Sequence, residues 1–170
     1  MATLAELLAS SLAALKQVQQ SGDFTIVKSG ELSPTHLKRL LANHFLMPVI
    51  KGWYIVTDPR AVPGDSTAWY ASFWNFILRY ATERYGKEWC LSAEQSLAIY
   101  SGSTTVPKQV LIRSPKGNNN SLELLPPTSL FNLEAALPSR IDTDNPYRLN
   151  LYPLAEAIIA ATPAIYKSDA

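Results

Sequence analysis

Thr35, His36, Lys38 and Arg39 crowd into the stretch Ser33-Pro34-Thr35-His36-Leu37-Lys38-Arg39-Leu40-Leu41, and Lys51 follows shortly after. Side chains of these types bind rather than cut: Lys and Arg neutralise phosphates, and polar side chains on a helix reach base edges. Bond-making chemistry has no comparable nucleus in this chain. It contains no glycine-rich phosphate loop, no HExxH pair, no GxSxG elbow and no repeated metal-ligand spacing. The two histidines, His36 and His44, fall at opposite ends of one expected helix, a poor arrangement for sharing a metal. Cys90 sits between Trp89 and Leu91, where a buried, inert thiol is expected. Asp65 and Glu94 are explained as a helix cap and a first-turn acid. No acid, base and nucleophile converge, so the expectation is a protein that is not an enzyme and carries no cofactor and no metal.

The elements that must hold the cationic stretch are legible around it. Ser33 is a good N-cap, Pro34 suits the first helical position, and Leu37, Leu40 and Leu41 mark one apolar face. The opposite face presents Thr35, His36, Lys38 and Arg39 near the helix start, as a recognition helix presents the residues that meet DNA. Asn43 or His44 ends the helix. Met47–Ile50 and Trp53–Val56 then read as a hairpin turning at Lys51-Gly52, with Lys51 placed at the tip for a phosphate. Helix followed by hairpin is the second half of a winged helix-turn-helix. The expected DNA-binding residues are therefore Thr35, His36, Lys38, Arg39 and Lys51.

Upstream, Leu4, Leu7, Leu8, Leu12 and Leu15 recur at helical spacing over about Leu4–Gln19, and Ser21-Gly22 stops the helix. Its leucines are expected to cover the recognition helix from behind. Glu6 and the absence of a basic leader argue for an amphipathic helix rather than a signal peptide, hence a cytoplasmic location. Asp23–Val27 favours a strand, and Lys28–Leu32 leaves room for only about one helical turn before Ser33, shorter than the usual second helix of the motif. The break Thr57–Asp65 contains two prolines and a glycine and marks a boundary, giving domains 1–60 and 61–170.

Beyond the break, Asp65 or Ser66 caps a helix reaching Gly86, whose apolar side holds Trp69, Phe73, Phe76, Ile77 and Tyr80. So many aromatics at helical spacing predict core rather than a base-stacking platform. Glu88–Leu91 reads as a short strand, Ser92 and Gln95 as a capping box opening a helix to Tyr100, and Val106–Arg113 with Leu122–Leu125 as one hairpin joined by a polar, mobile loop. Pro153 opens a last helix through Ile159. The fold expected is α+β, an N-terminal winged helix-turn-helix followed by a small mixed α/β domain. The chain finishes soon afterwards without a tail, which leaves open that it is an N-terminal portion of something longer.

Composition sets outer limits. With 47% hydrophobic and 17% charged residues the chain is globular rather than disordered. A net charge of +1 excludes a surface that binds nucleic acid throughout. Up to Arg60 six Lys and Arg face four Asp and Glu, whereas from Phe131 three face five, a gradient compatible with DNA at the N-terminal end. One cysteine excludes an internal disulfide, and no apolar run approaches the roughly 18 residues of a membrane span.

Leu37–Ile55, LKRLLANHFLMPVIKGWYI, resembles the N-terminal winged helix of AbiEi-type antitoxins, in which a leucine-rich recognition helix leads to a wing ending near a Gly-aromatic-Tyr triplet, here Gly52-Trp53-Tyr54. Trp89–Leu97 followed by Val106–Val110 is similar to the start of that family's second domain. The whole chain resembles the N-terminal region of bacterial Fic-family (cell filamentation) proteins. The catalytic Fic motif, a histidine, Pro-Phe and a glycine-rich anion loop, is absent, so no AMP transfer is expected of these residues. The resemblance implies an autoregulatory DNA-binding antitoxin whose partners are double-stranded DNA and a cognate toxin. The alternative it implies is a non-catalytic module that positions or restrains a Fic-type or nucleotidyltransferase toxin.

Overall fold

A computed structural model of the chain describes residues 1–22 and 25–167. Asp23 and Phe24, the start of the expected strand Asp23–Val27, lie outside the described residues. The chain is α+β, and it divides into two compact units, Met1–Phe76 and Ile77–Ala170. The division falls inside a helix rather than in the Pro- and Gly-rich break at 60/61.

The first unit begins with α1 (Leu4–Ser21). Its start is set by Thr3, whose hydroxyl accepts from the Glu6 N–H at 3.2 Å while the Glu6 carboxylate accepts from the Thr3 N–H at 2.6 Å. Those bonds hold the Glu6 carboxyl below its usual range. Strand β1 (Ile26–Lys28) follows, then a single 3-10 turn (Ser29–Glu31), α2 (Pro34–Ala42) and the hairpin β2 (Leu46–Ile50) and β3 (Trp53–Val56). The three strands form an antiparallel sheet in the order β1-β3-β2.

Alternation along these strands splits the unit into two layers of core. Val27 and Leu46 turn to one side and join Leu15, Leu32 and Leu40, with Tyr54 and Val56 packed against them. Trp53, Ile55 and its cross-strand partner Ile26 turn to the other side, and Trp53 meets Phe76 edge to face with centroids 5.6 Å apart. Phe76 belongs to α3 (Thr67–Tyr85), and Trp69 stacks edgewise on both Phe73 and Phe76. The N-terminal half of α3 therefore completes the first unit. This is why the compact unit runs past residue 60: Phe76 packs on Trp53 at one apolar face of its sheet.

The second unit contains β4 (Cys90–Leu91), α4 (Ala93–Tyr100), β5 (Gln109–Ser114), β6 (Asn120–Glu123), β7 (Ser129–Glu134) and α5 (Leu154–Ala160), with a final 3-10 turn over Pro163–Lys167. Its sheet order is β4-β5-β7-β6. The expected hairpin of Val106–Arg113 with Leu122–Leu125 does not form. Both strands instead pair with β7, β5 in parallel and β6 antiparallel. β7 was hidden because its inward positions alternate Leu130 with Asn132, a buried polar residue that breaks the apolar pattern and is answered by the Tyr85 hydroxyl at 2.8 Å.

The loop before β6, expected to be mobile, is pinned to β7. The Asn119 N–H donates to the Asn132 carbonyl at 2.8 Å, the Glu134 N–H donates to Asn119 Oδ1 at 2.9 Å, and Lys116 pairs with Glu88. Gly117 lies so close to the Leu133 carbonyl that a β-carbon there would overlap it. Helix α4 starts where Ser92 Oγ accepts from the Gln95 N–H at 3.1 Å, and with α5 it encloses a core of Cys90, Ala93, Tyr152, Ala157 and Ala161. No helix among the described residues is long and apolar enough to cross a membrane.

Candidate nucleic-acid interface

Helix α2 is short but closed at both ends. Ser33 Oγ accepts from the His36 N–H at 3.2 Å, and Pro34 occupies the first position, where a missing N–H costs nothing. At the other end His44, not Asn43, takes the left-handed conformation, with φ of 60°. The His44 N–H then donates to the Leu41 carbonyl at 3.2 Å and the Phe45 N–H to the Leu40 carbonyl at 3.0 Å, the bond pair of a Schellman cap. Leu37, Leu40 and Leu41 face the core, so the orientation of the polar residues is fixed by what the leucines bury.

The expected polar face separates into two. Thr35 and Lys38 are exposed. Together with Pro34, Arg39, Ala42 and Asn43 they line an open groove of about 510 Å³ along the outside of α2. His36 and Arg39 are half-buried and committed to α1. Arg39 Nη1 donates to the Leu7 carbonyl at 3.1 Å and to Ser11 Oγ at 2.9 Å, and Ser11 Oγ lies 2.9 Å from His36 Nδ1. Hydrogen bonds from one guanidinium nitrogen to a helix carbonyl and a hydroxyl tie the two helices together beside their leucines.

Ser11 is the residue that the pattern of leucines concealed. It is fully buried, four residues after Leu7 and four before Leu15, so it interrupts the apolar stripe of α1 at the point where Arg39 arrives. A polar residue in the middle of such a stripe is the available signal. At the head of the same stripe, Leu4 is 87% exposed and covers nothing.

Lys51 stands on a different element, at the exposed tip of the β2–β3 hairpin. Gly52 has φ of +83° at the second turn position, which demands glycine there, and its carbonyl accepts from the Ser29 N–H at 3.0 Å. The tip is thereby tied to the turn that leads into α2. Lys28, on the edge strand of the same sheet, places its ammonium 5.0 Å from the Trp53 ring centroid.

Two titratable side chains of the second unit are shifted by their surroundings. Burial pushes the Cys90 thiol up to about 12, with Arg113 opposing the shift, so it is neutral and unreactive near pH 7. The Tyr100 hydroxyl lies 2.8 Å from Asp142 Oδ2 and 2.7 Å from the Tyr152 carbonyl, and burial raises its pKa. Among the described residues no group of three or more His, Cys, Asp or Glu is placed to hold a metal ion. No protein-family model, curated protein or solved structure matches the chain.

Proposed function

We propose that the first unit is a winged helix-turn-helix that binds duplex DNA, with α2 as its recognition helix and the β2–β3 hairpin as its wing. The order helix, strand, helical turn, helix, hairpin supports this reading, as does the placing of the first strand beside the last. The observation that carries it is the outer face of α2: Thr35 and Lys38 stay exposed on a helix otherwise closed by its caps and its leucines. Lys51 at the hairpin tip is the second cation free for a phosphate. His36 and Arg39 join the interface indirectly, by holding α2 against α1.

On this reading the protein is a DNA-binding transcriptional regulator of antitoxin type, acting on its own operon, and it performs no catalysis. Its test is fluorescence anisotropy of the purified chain on a duplex from upstream of its own gene and on a scrambled duplex, each at low and moderate salt. Binding that prefers the upstream duplex and falls steeply with salt is expected. No binding to either duplex at low salt would sink the proposal.

One observation favours a second reading, a non-catalytic module that contacts a Fic-type or nucleotidyltransferase toxin. In the second unit Leu154, Ile158, Ile159 and Tyr166 are each about half exposed or more, an apolar surface suited to a protein partner. Co-purification with the product of a neighbouring gene, lost on Ile158→Asp/Ile159→Asp and without DNA binding, would select this reading instead.

A further inference from the structure

The geometry points to thymine methyl groups, in the major groove of A·T-rich duplex DNA, as what the outer face of α2 reads; this rests on the DNA-binding reading of the first unit. The side chains best able to make paired hydrogen bonds to a base are each held in part by the protein. Arg39, whose fork suits guanine, donates to Leu7 and Ser11, and His36 is engaged by Ser11. Asn43, whose amide suits adenine, donates from Nδ2 to the Arg39 carbonyl at 2.8 Å. Beside Arg39 and Asn43 the groove is lined by the Pro34 ring, the Thr35 methyl and hydroxyl, the Ala42 methyl, and Lys38. Lys38 supplies attraction to the phosphates, and Pro34, Thr35 and Ala42 add small apolar groups beside it. Thr and Ala methyls are the side-chain groups that pack on the C5 methyl of thymine. Each methyl buried in this way is worth about fourfold in affinity.

Four alternating polymers separate methyl readout from charge and from minor-groove readout: poly(dA-dT), poly(dA-dU), poly(dI-dC) and poly(dI-5-methyl-dC). Within each pair only the C5 methyl changes, so phosphate charge and minor-groove edges are constant. The expected result is about four- to tenfold tighter binding to the methylated member of each pair, with equal salt slopes. Thr35→Val should keep the preference and Thr35→Ser should lose most of it, both variants melting with the wild type because residue 35 is exposed. Equal affinity within both pairs, or a preference that survives Thr35→Ser, overturns the inference and leaves DNA binding standing. No salt-sensitive binding to any of the four polymers overturns the DNA-binding reading and this inference with it.

Discussion

Lys38 and Arg39 are neighbours of like charge, yet the fold gives them different work, and the difference is measurable. Lys38 is exposed, so on the proposed DNA-binding reading Lys38→Ala should leave stability within about 0.5 kcal/mol and lower the slope of log K against log salt by about 0.9. Arg39→Ala removes two hydrogen bonds from between the helices and leaves Ser11 buried with fewer partners. It should cost about 1–3 kcal/mol, a fall of several degrees in Tm, while the salt slope stays near that of the wild type. A slope lowered by Arg39→Ala as much as by Lys38→Ala would mean that Arg39 leaves α1 for phosphate when DNA binds. His44 offers a change of the opposite sign. Its φ of 60° is costly for a residue with a β-carbon, so His44→Gly should stabilise by about 1 kcal/mol, read as a Tm rise of 2–4 °C. At Cys90 the buried thiol should resist a thiol reagent at pH 8 until the protein is unfolded. Because its folded pKa lies above the unfolded one, the folded chain holds the proton longer. Its contribution to stability is present below about pH 9 and is lost as the pH rises toward 12.

Among the elements, α2 and its hairpin were readable because every signal there is local. The cap, the proline, three leucines on one face and a Gly-bearing turn lie within two dozen residues and agree with one another. The sheet of the second unit was not readable for the converse reason. Nothing near Ser129–Glu134 announces that it inserts between β5 and β6, since that choice depends on Asn132 finding Tyr85 and on the 114–119 loop tucking against Leu133. The division of labour on α2 was equally invisible, because it requires knowing that Ser11 lies beneath Arg39. Gly117 tests the account of the loop. Gly117→Ala forces a methyl into the Leu133 backbone and should destabilise by about 2–3 kcal/mol, a Tm fall of about 5–10 °C. Gly30→Ala, where a β-carbon meets nothing within 4 Å, should be close to neutral and serves as the comparison.

For the molecule as a whole, the aromatic side of α3 decides where a self-sufficient first unit can end. Reading the Pro- and Gly-rich break as a boundary treats α3 as the property of the second domain. Trp53, Ile55 and Ile26 form the second apolar face of the first sheet, and Phe76 of α3 is what Trp53 packs against. Removing 67–76 takes Phe76 off Trp53 and discards the buried Trp69 and Phe73 that pack with it, and burying a side chain of this kind is worth about 1.5–3 kcal/mol. That is a large fraction of the whole stability of a small domain, about 5–15 kcal/mol. A fragment of residues 1–60 should therefore be unfolded or aggregated, whereas 1–76 should fold and keep any duplex binding the full chain has. Near-ultraviolet circular dichroism separates the cases, since the ordered cluster of Trp53, Trp69, Phe73 and Phe76 gives a signal that a collapsed chain lacks. Should 1–60 fold cooperatively and bind DNA with the affinity of the full chain, α3 would be a neighbour of the first unit rather than part of its core.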